Sequence, residues 1–324
     1  MRIVVTGSSG HLGEGLVRVL RAQGHDAVGL DLLPSPWTDV VGSIADRAVV
    51  RAALAGAEGV LHAATLHKPH VGTHTRQEFV DTNVTGTLAL LEEAVAAGVR
   101  RFVCTSTTST FGRALTPAPG APAAWVTEDV VPVPRNVYGV TKTAAEDLCQ
   151  LVAADSGLPV VVLRTSRFFP EGDDSDDARA GWTDANLKVN ELLHRRVDLA
   201  DAVEAHLLAL ERAPAIGFGR FVVSATTPFE RGDLAELRTD PAAVVRRRQP
   251  QVDDVYAAAG WRLPDSIDRV YVNARARAAL GWTPRYTFAR ALEQLAAGAE
   301  VRSELAVTVG AKGYHPTPTG PYTR

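Results

Sequence analysis

Two residues of the sequence have the types and the spacing needed for proton transfer. Tyr138 and Lys142 stand four residues apart in YGVTK, at the start of a stretch with helical periodicity, so both side chains fall on one face of the predicted helix. A tyrosine with a pKa of about 10 is a poor base at neutral pH. A neighbouring ammonium group, together with a bound nicotinamide, would lower that pKa and make the phenol a proton shuttle. Because YxxxK matches are common by chance, two unrelated surface residues stand as the alternative.

A hydroxyl-rich segment, CTSTTSTFG, lies upstream of this pair, where a predicted strand ends. Ligands of parallel sheets bind at the carboxyl ends of the strands. A hydroxyl group from this segment could therefore hold a substrate oxygen for Tyr138.

The stretch GSSGHLG, from Gly7 to Gly13, predicts a site for a pyrophosphate. The first glycine permits a tight turn, the second lets the backbone approach a ligand, and the third lets the following helix pack closely. The N–H groups at that helix N-terminus carry partial positive charge. Asp31 ends the next predicted strand 18 residues after Gly13, where a carboxylate accepts ribose hydroxyls and repels a 2′-phosphate. No arginine follows it, so we expect NAD rather than NADP; a structural turn with a surface aspartate is the alternative.

The elements that must position these residues alternate along the chain. Short β-branched runs predict strands at Ile3–Gly7, Ala27–Asp31, Gly59–Ala64, Arg101–Ser106, Pro159–Thr165 and Arg220–Ala225. Helical patterns lie between them, at His11–Gln23, Arg47–Ala55, Phe79–Ala97, Tyr138–Asp155 and Leu199–Arg212. Apolar strands that are each followed by a helix predict an α/β fold with a doubly wound parallel sheet, as in a Rossmann-type nucleotide-binding domain.

The domain division follows from lapses in this alternation. The segment 113–135 is rich in proline and alanine, and the segment 168–195 holds the acidic cluster DDSDD at 173–177. We expect residues 1–167 to form the nucleotide-binding domain, to which the chain returns at about 195–225. Residues 168–194 and 226–310 are expected to form a smaller, mostly helical substrate-binding lobe, and residues 311–324 a tail.

Composition limits the classes of function. The chain has 324 residues, of which 46% are hydrophobic, and a formal net charge of -3, so it offers no basic field for nucleic acid. No apolar run is long enough to span a membrane, and the first predicted strand begins at once without a signal peptide. Cys104 and Cys149 are expected to be buried free thiols. We therefore expect a cytoplasmic protein that acts on a small molecule, without nucleic-acid or membrane partners.

Several ordered motifs together resemble those of the extended short-chain dehydrogenase/reductase family, in its NAD-dependent epimerase/dehydratase group. TGSSGHLG is similar to the family's TGxxGxxG, HAAT to its HxAA, NVTGT to its NVxGT, and YGVTK is its YxxxK. The later stretches RRVDLADAVEAHLLAL and ALGWTPRYTF also resemble family motifs, so the resemblance extends to about Leu295.

The resemblance implies an active site of Thr107, Tyr138 and Lys142, with Ser106 as the alternative to Thr107. Tyr138 would take the proton of a substrate hydroxyl while NAD accepts a hydride, and Lys142 would bind the nicotinamide ribose. The implied cofactor contacts are Gly7, Ser9, Gly10, His11, Leu12, Gly13, Asp31, Ser43, Ile44, Ala63, Ala64, Thr65, Asn83, Thr105, Tyr138, Lys142 and Thr165. The implied substrate contacts are His67, Thr107, Arg167 and Trp182. No metal is expected, because the histidines after HAAT have no cysteine or carboxylate at matching spacing.

Departures from the family's pattern narrow the function. Ser43 stands where the family often has an adenine-binding aspartate. Thr108 and Ser109 stand where the family's sugar 4,6-dehydratases carry an Asp-Glu pair, which argues against dehydratase activity. Arg167 replaces an asparagine of many nucleotide-sugar epimerases; it could hold a substrate phosphate or carboxylate, or form a structural ion pair with the acidic loop.

The resemblance thus implies an NAD-dependent oxidoreductase or epimerase that acts on a secondary hydroxyl of a sugar or nucleotide sugar. A dehydrogenase or reductase of a small anionic or non-nucleotide carbonyl compound is the first alternative, and a non-catalytic NAD-binding sensor is the second. It also implies a homodimer through the helices Phe79–Ala97 and Tyr138–Asp155, where Ala94, Ala97, Ala144 and Ala145 would permit close helix packing.

Overall fold

The computed structural model describes residues 1–172 and 180–313, and a seven-stranded parallel sheet is its central feature. The strands are β1 (Arg2–Thr6), β2 (Asp26–Asp31), β3 (Val40–Val41), β4 (Gly59–His62), β5 (Phe102–Thr107), β6 (Ala124–Val126), β7 (Val160–Thr165), β8 (Phe218–Val223) and β9 (Arg269–Tyr271). The strand order is β3-β2-β1-β4-β5-β7-β8, and every neighbouring pair is parallel. β7, a run of valine and leucine that ends in Arg-Thr, is buried along its whole length, as a strand covered on both faces must be.

Two layers of helices cover this sheet. The α-helices are α1 (His11–Ala22), α2 (Arg47–Ala53), α3 (Arg76–Val80), α4 (Gly86–Ala96), α5 (Val137–Ser156), α6 (Asp184–Leu192), α7 (Leu199–Ile216), α8 (Pro241–Arg248), α9 (Val252–Ala259), α10 (Ala274–Leu280), α11 (Phe288–Ala296) and α12 (Glu304–Val309). α1 and α7 share one apolar core with the sheet, whereas α2, α4 and α5 share a second core on its other face. The predicted α/β fold with a doubly wound parallel sheet is therefore confirmed.

The predicted helix Phe79–Ala97 is wrong as a single element. α3 ends at Val80, a π-helical turn covers Asp81–Thr85, and α4 begins at Gly86. Hydrophobic periodicity does not detect a single inserted residue, and π turns occur often at functional sites. The turn carries Asn83, whose side chain has a role described below.

The two stretches predicted to lack regular structure contain short elements. β6 lies within 113–135 and pairs in parallel with β9, so that Trp125 is opposite Val270 in a two-stranded sheet. α6 lies within 168–195. A three-residue strand is too short to give a periodic pattern, and its partner lies far away along the sequence, so local reasoning missed it.

The C-terminal part of the chain is mostly helical, as predicted, and has a core of its own. Leu193, Leu237, Val270 and Phe288 are among the buried residues of this core. The acidic cluster at 173–177 and the tail from residue 314 onward lie outside the described residues. Within residues 1–172 and 180–313, every helix is too short or too polar to cross a membrane.

Candidate active site

The glycine loop joins β1 to α1, and its backbone explains why glycines stand there. Gly7 has a φ of +73°, and a Cβ there would lie 2.7 Å from the backbone N of Ala64. A Cβ at Gly13 would lie 1.9 Å from the carbonyl oxygen of Gly7, so only glycine lets α1 pack this closely. Gly10 is the N-cap of α1 and offers no capping side chain. The N–H groups of the first turn of α1 are therefore left to bind a ligand.

Asp31, at the end of β2, is tied to this loop. Its Oδ2 accepts a hydrogen bond from the backbone N of Ser9 (3.0 Å), and its Oδ1 accepts one from Leu33 (3.0 Å). Ser43 and Ile44 follow the neighbouring strand β3; Ile44 is buried in the core, and Ser43 is half-buried. The carboxylate of Asp31 is thus fixed beside the glycine loop. Ser43 is the polar side chain that follows the adjacent strand, β3, at the same carboxyl edge of the sheet.

Buried hydrogen bonds connect β1 and β4 to the π turn. Nδ1 of His62 lies 2.8 Å from Oγ1 of Thr6, and its Nε2 lies 3.0 Å from Oγ1 of Thr87. Because the Thr87 hydroxyl donates to the carbonyl of Asn83 (2.7 Å), His62 donates through Nε2 and accepts through Nδ1. Burial, with a smaller effect of the Lys142 charge, lowers the pKa of His62 to about 3. The imidazole is therefore neutral at physiological pH.

Asn83 joins the segment after β4 to α5. Its Oδ1 accepts hydrogen bonds from the backbone N of Leu66 (2.8 Å) and from the Thr65 hydroxyl (2.9 Å), and its Nδ2 donates to Oγ1 of Thr141 (3.1 Å). Thr141 lies on α5, beside the predicted catalytic lysine. The segment that Asn83 holds in place contains three predicted cofactor residues, Ala63, Ala64 and Thr65.

Tyr138 and Thr107 meet where the start of α5 lies beside the end of β5. Their side chains lie near each other, since the Thr107 hydroxyl affects the pKa of Tyr138, and both residues are buried. Burial raises the pKa of Tyr138 to about 12, and the Thr107 hydroxyl acts in the opposite direction. Lys142, one helical turn further along α5, is only 2% exposed. The structure thus brings together the three side chains predicted to carry the chemistry.

The other predicted hydroxyls at this edge have partners elsewhere. Oγ1 of Thr105 lies 2.9 Å from Nε2 of His206 on α7, and the Ser106 hydroxyl donates to Glu146 on α5 (2.5 Å). Thr165 is paired with Thr107 in the register of β5 and β7. Because the hydroxyl of Ser106 is bonded to Glu146 while Thr107 contacts Tyr138, the geometry favours Thr107 over Ser106 as the catalytic hydroxyl.

The predicted substrate residues are divided between two places. The ring of His67 packs against that of Phe169, with centroids 6.3 Å apart. Nη1 of Arg167 contacts Glu191 at 2.8 Å. Trp182 lies apart from them, with the guanidinium of Arg262 3.9 Å from its ring centroid. His67 and Arg167 therefore belong to one neighbourhood around Phe169, and Trp182 belongs to another.

His11 is held by a carboxylate rather than left open toward a ligand. Its Nε2 lies 2.8 Å from Oε1 of Glu171, and the same oxygen accepts a hydrogen bond from the backbone N of Lys312 (2.9 Å). The side chain of Lys312 contacts Glu14 on α1. Two segments from outside the parallel sheet thus touch the first turn of α1, next to the glycine loop.

Comparison with known protein families identifies the group to which this arrangement belongs. The model of the NAD dependent epimerase/dehydratase family matches residues 3–223, which is more than half of the chain. The chain belongs to this family. The resemblance to the extended short-chain dehydrogenases/reductases is thereby confirmed.

Individual relatives match nearly the whole chain. A UDP-glucose 4-epimerase of Corynebacterium glutamicum is 26% identical over 341 residues, which cover 90% of this chain and 93% of that protein. A 3-beta-hydroxysteroid dehydrogenase of Mycolicibacterium neoaurum is 25% identical over 341 residues, which cover 90% of each chain. A short-chain dehydrogenase/reductase superfamily protein from Agrobacterium tumefaciens, solved with bound NAD, has a TM-score of 0.65 and 26% identity, and the match covers 92% of this chain and 96% of that one. Sequence identity alone does not choose between an epimerase and a dehydrogenase.

The site of this family member fits a dinucleotide by the chemistry of its own residues. The first turn of α1 has no side-chain cap, and the adjoining glycines leave its backbone open. The buried ammonium of Lys142 has no hydrogen-bond acceptor within residues 1–172 and 180–313. A buried charge without a partner is costly, so its surroundings call for acceptors such as ribose hydroxyls.

Sequence reasoning did not identify the residues that support this site. Thr6 and His62 end neighbouring parallel strands, and their shared register could have placed both at the same edge. Thr87 and Thr141 gave no comparable signal, because their contacts depend on the π turn.

Replacing Gly13 by alanine should weaken NAD binding by about tenfold or more, since the added Cβ would force the loop away from α1. Isothermal titration calorimetry with NAD measures the effect. Gly232→Ala is the matched control, because its Cβ would meet nothing within 4 Å. Equal affinity of the Gly13→Ala variant and the wild type would contradict the assigned role of the loop.

The neutral His62 predicts a loss of stability in acid. The unfolded chain takes up a proton near a pH of about 6.5, whereas the folded protein keeps the imidazole neutral down to about 3. This contribution is therefore present above pH 6.5 and lost as the pH falls, at up to about 1.4 kcal/mol per pH unit for one proton.

His62→Gln should reduce this pH slope of the unfolding free energy by up to one proton. Urea denaturation across the acidic range measures it, with His25→Gln, a change near the N-terminus, as the control. If wild type and His62→Gln have the same slope, His62 does not carry the predicted proton linkage.

Proposed function

We propose that the protein is an NAD-dependent epimerase or dehydrogenase that acts on a secondary hydroxyl of a sugar or nucleotide sugar. The observation that carries this proposal is the contact of Tyr138 with Thr107 at the carboxyl edge of β5, with the buried Lys142 one turn away. A phenol, a hydroxyl and an ammonium group in this arrangement can hold a substrate oxygen and move its proton.

Bound NAD would supply the acceptor for the hydride that leaves the substrate carbon. Thr107 would hold the substrate hydroxyl, and Tyr138 would accept its proton. Burial raises the pKa of Tyr138 to about 12, so the phenol is protonated in the protein without ligands. The charge of Lys142 favours the phenolate, as the positive nicotinamide would. In the reverse direction the protonated Tyr138 would return the proton to a carbonyl oxygen.

The preference for NAD over NADP rests on Asp31. Its carboxylate is fixed beside the glycine loop by the backbone N–H groups of Ser9 and Leu33. A 2′-phosphate at this position would face like charge, whereas ribose hydroxyls would donate to it. Leu32 and Leu33, which follow, are exposed and carry no compensating charge.

A small anionic substrate is the second candidate, because positively charged side chains line a small cleft near the site. The lining of the cleft includes Arg167, Lys188 and Arg196, together with the acidic Glu171, Asp184 and Glu191. Glu191 lies among them, within 2.8 Å of Arg167 and of Arg196. The ion pair supports a structural role for Arg167, so binding of a small anion remains the second candidate.

Two other functions have less support. A dehydratase needs an acid and a base beyond the tyrosine, but the residues after Thr107 are Thr108 and Ser109, and the backbone N of Ser109 donates to Thr107 (3.1 Å). A non-catalytic NAD sensor has no use for a tyrosine beside a hydroxyl group with a buried lysine one helical turn away.

The proposal is tested on the protein as purified, by denaturing it and identifying any released nucleotide by mass spectrometry. We expect NAD and not NADP, either retained at about one per chain, which would favour epimerisation, or exchangeable on titration, which would favour a dehydrogenase. Tyr138→Phe should keep NAD binding and lose turnover by about a hundredfold or more with any sugar that the wild type converts.

Thr143→Ala is the matched control, because it removes a hydroxyl from the same helix that bonds only to the carbonyl of Gly139 (2.9 Å) among the described residues. If neither NAD nor NADP binds, the proposal fails. If Tyr138→Phe turns substrate over like the wild type, NAD binding stands but Tyr138 has no catalytic role.

A homodimer through α4 and α5 is also part of this proposal. Of the four alanines expected at the interface, Ala94 and Ala145 are buried within the chain itself, Ala144 is half-buried and Ala97 is exposed. Val95, Val140 and Leu151 on the same helices are exposed. We therefore place the contact on these three side chains.

Light scattering of the wild type should give twice the mass of one chain, and Leu151→Asp should give the monomer. Val307→Asp, an equally drastic change at an exposed position on α12, is the control and should stay dimeric. A monomeric wild type would contradict the proposed interface.

A further inference from the structure

A buried carboxylate lies behind the catalytic residues, on the same face of α5. Glu146 is one helical turn after Lys142 and two turns after Tyr138, and it is only 1% exposed. A buried carboxylate is retained only where partners satisfy it. The hydrogen-bond partners of Glu146 therefore show which elements of the fold this carboxylate connects.

The partners of Glu146 come from two neighbouring strands. Ser106 on β5 donates its hydroxyl to Oε1 (2.5 Å). Arg164 on β7 donates from Nη2 to Oε2 (2.8 Å) and from Nε to both oxygens (3.1 Å). Ser106 and Arg164 are directly paired in the register of the two strands. One carboxylate thus joins α5 to a cross-strand pair of the sheet.

A third strand strengthens the same junction. Nε of Arg220 on β8 lies 3.2 Å from Oε2 of Glu146, and its Nη2 contacts Asp147 at 2.8 Å. Arg164 also stacks on Phe111, with its guanidinium carbon 4.9 Å from the ring centroid. The junction is fully buried at Glu146 and Arg164 and reaches the surface only at Arg220.

This junction lies immediately below the catalytic edge. Thr107 follows Ser106 along β5, about 3.3 Å further along the strand. Tyr138 lies about 12 Å from Glu146 along the axis of α5. The contact between Tyr138 and Thr107 therefore depends on the position of α5 along the direction of β5. Apolar packing does not fix that distance, whereas a bidentate ion pair and a short hydrogen bond do.

We propose that Glu146 is a positioning residue for proton transfer: by fixing α5 against β5 and β7 through Ser106 and Arg164, it keeps the Tyr138 hydroxyl on that of Thr107. The proposal rests on the proposed function of Tyr138. It also gives Ser106 a role, since the hydroxyl predicted as an alternative catalytic group supports the helix that carries the tyrosine.

The test uses variants that change the geometry of the junction without changing its charge. Ser106→Ala removes one hydrogen bond to Glu146, and Glu146→Asp shortens the reach of the carboxylate by one methylene. Removing the carboxylate altogether would leave Arg164 buried and unpaired, so that variant is avoided. Ser156→Ala is the control, because that hydroxyl lies at the far end of α5 and bonds to Val152 (2.6 Å).

The readout is the ionisation of Tyr138 in the full-length protein with NAD added, followed by NMR of protein labelled at the tyrosine ring carbon that bears oxygen. The chain has six tyrosines, and the signal of Tyr138 is the one lost in Tyr138→Phe. Loss of the contact with Thr107 should raise the midpoint of ionisation, since the Thr107 hydroxyl favours the phenolate. We expect a rise of about half a pH unit or more in Ser106→Ala and in Glu146→Asp, and no change in Ser156→Ala.

A merely structural Glu146 would give a different result. Lower thermal stability of Ser106→Ala with an unchanged Tyr138 midpoint would overturn the proposal, and so would an equal shift in Ser156→Ala. A wild-type midpoint that does not respond to NAD would count against the proposed function itself, and with it against this inference. Because Ser106→Ala alters one buried hydroxyl only, it keeps the test decisive if Glu146→Asp does not fold.

Discussion

Buried polar side chains at the carboxyl edge of the sheet must find hydrogen-bond partners, and the rest of the site depends on this requirement. Thr6, His62, Thr87 and Asn83 satisfy one another in sequence, and Asn83 passes the connection on to α5 through Thr141. Every donor of this hydrogen-bonded series has an acceptor within it or on the adjoining backbone, so an alternative arrangement would leave a buried group unpaired. The glycine loop, the segment after β4 and the helix with Tyr138 are thus held in one arrangement by uncharged groups.

The number of unbalanced buried charges around Tyr138 is also kept small. The charge of Lys142 is one reason why His62 stays neutral. A protonated imidazole next to Lys142 would add a second buried cation without a carboxylate to balance it. On the other side, Arg164 neutralises Glu146, so the acidic group on the catalytic helix does not cancel the effect of Lys142. The proposed proton transfer at Tyr138 would therefore take place beside one buried positive side chain, Lys142.

Sequence reasoning reached the parts of this site that local pattern encodes. The glycine spacing, Asp31 and the pair Tyr138 and Lys142 depend on a strand, a turn and a helix that are adjacent in the chain, and the structure places each of these elements where the pattern predicted it. The π turn around Asn83 was missed because one inserted residue hardly alters periodicity. Glu146 was missed because its role depends on contacts with Ser106 and Arg164, which lie on two separate strands. Contacts of that kind need the register of the sheet, and a single sequence does not contain it.

The net reaction is decided by residues outside this catalytic edge. Oxidation of a secondary alcohol and its reversal need the same proton transfer, so Tyr138, Thr107 and Lys142 serve an epimerase and a dehydrogenase equally. The two reactions differ in whether the keto intermediate can rotate in the site before the hydride returns. That depends on the space available to the substrate beyond the carboxyl edge of the sheet. Near the predicted substrate residue His67, Phe169 packs against both His67 and His11, and Glu191 holds Arg167 in place. These side chains follow β4 and β7 in loops, where substitution leaves the sheet intact. The same arrangement of residues can therefore occur in relatives that are named for an epimerase and for a dehydrogenase.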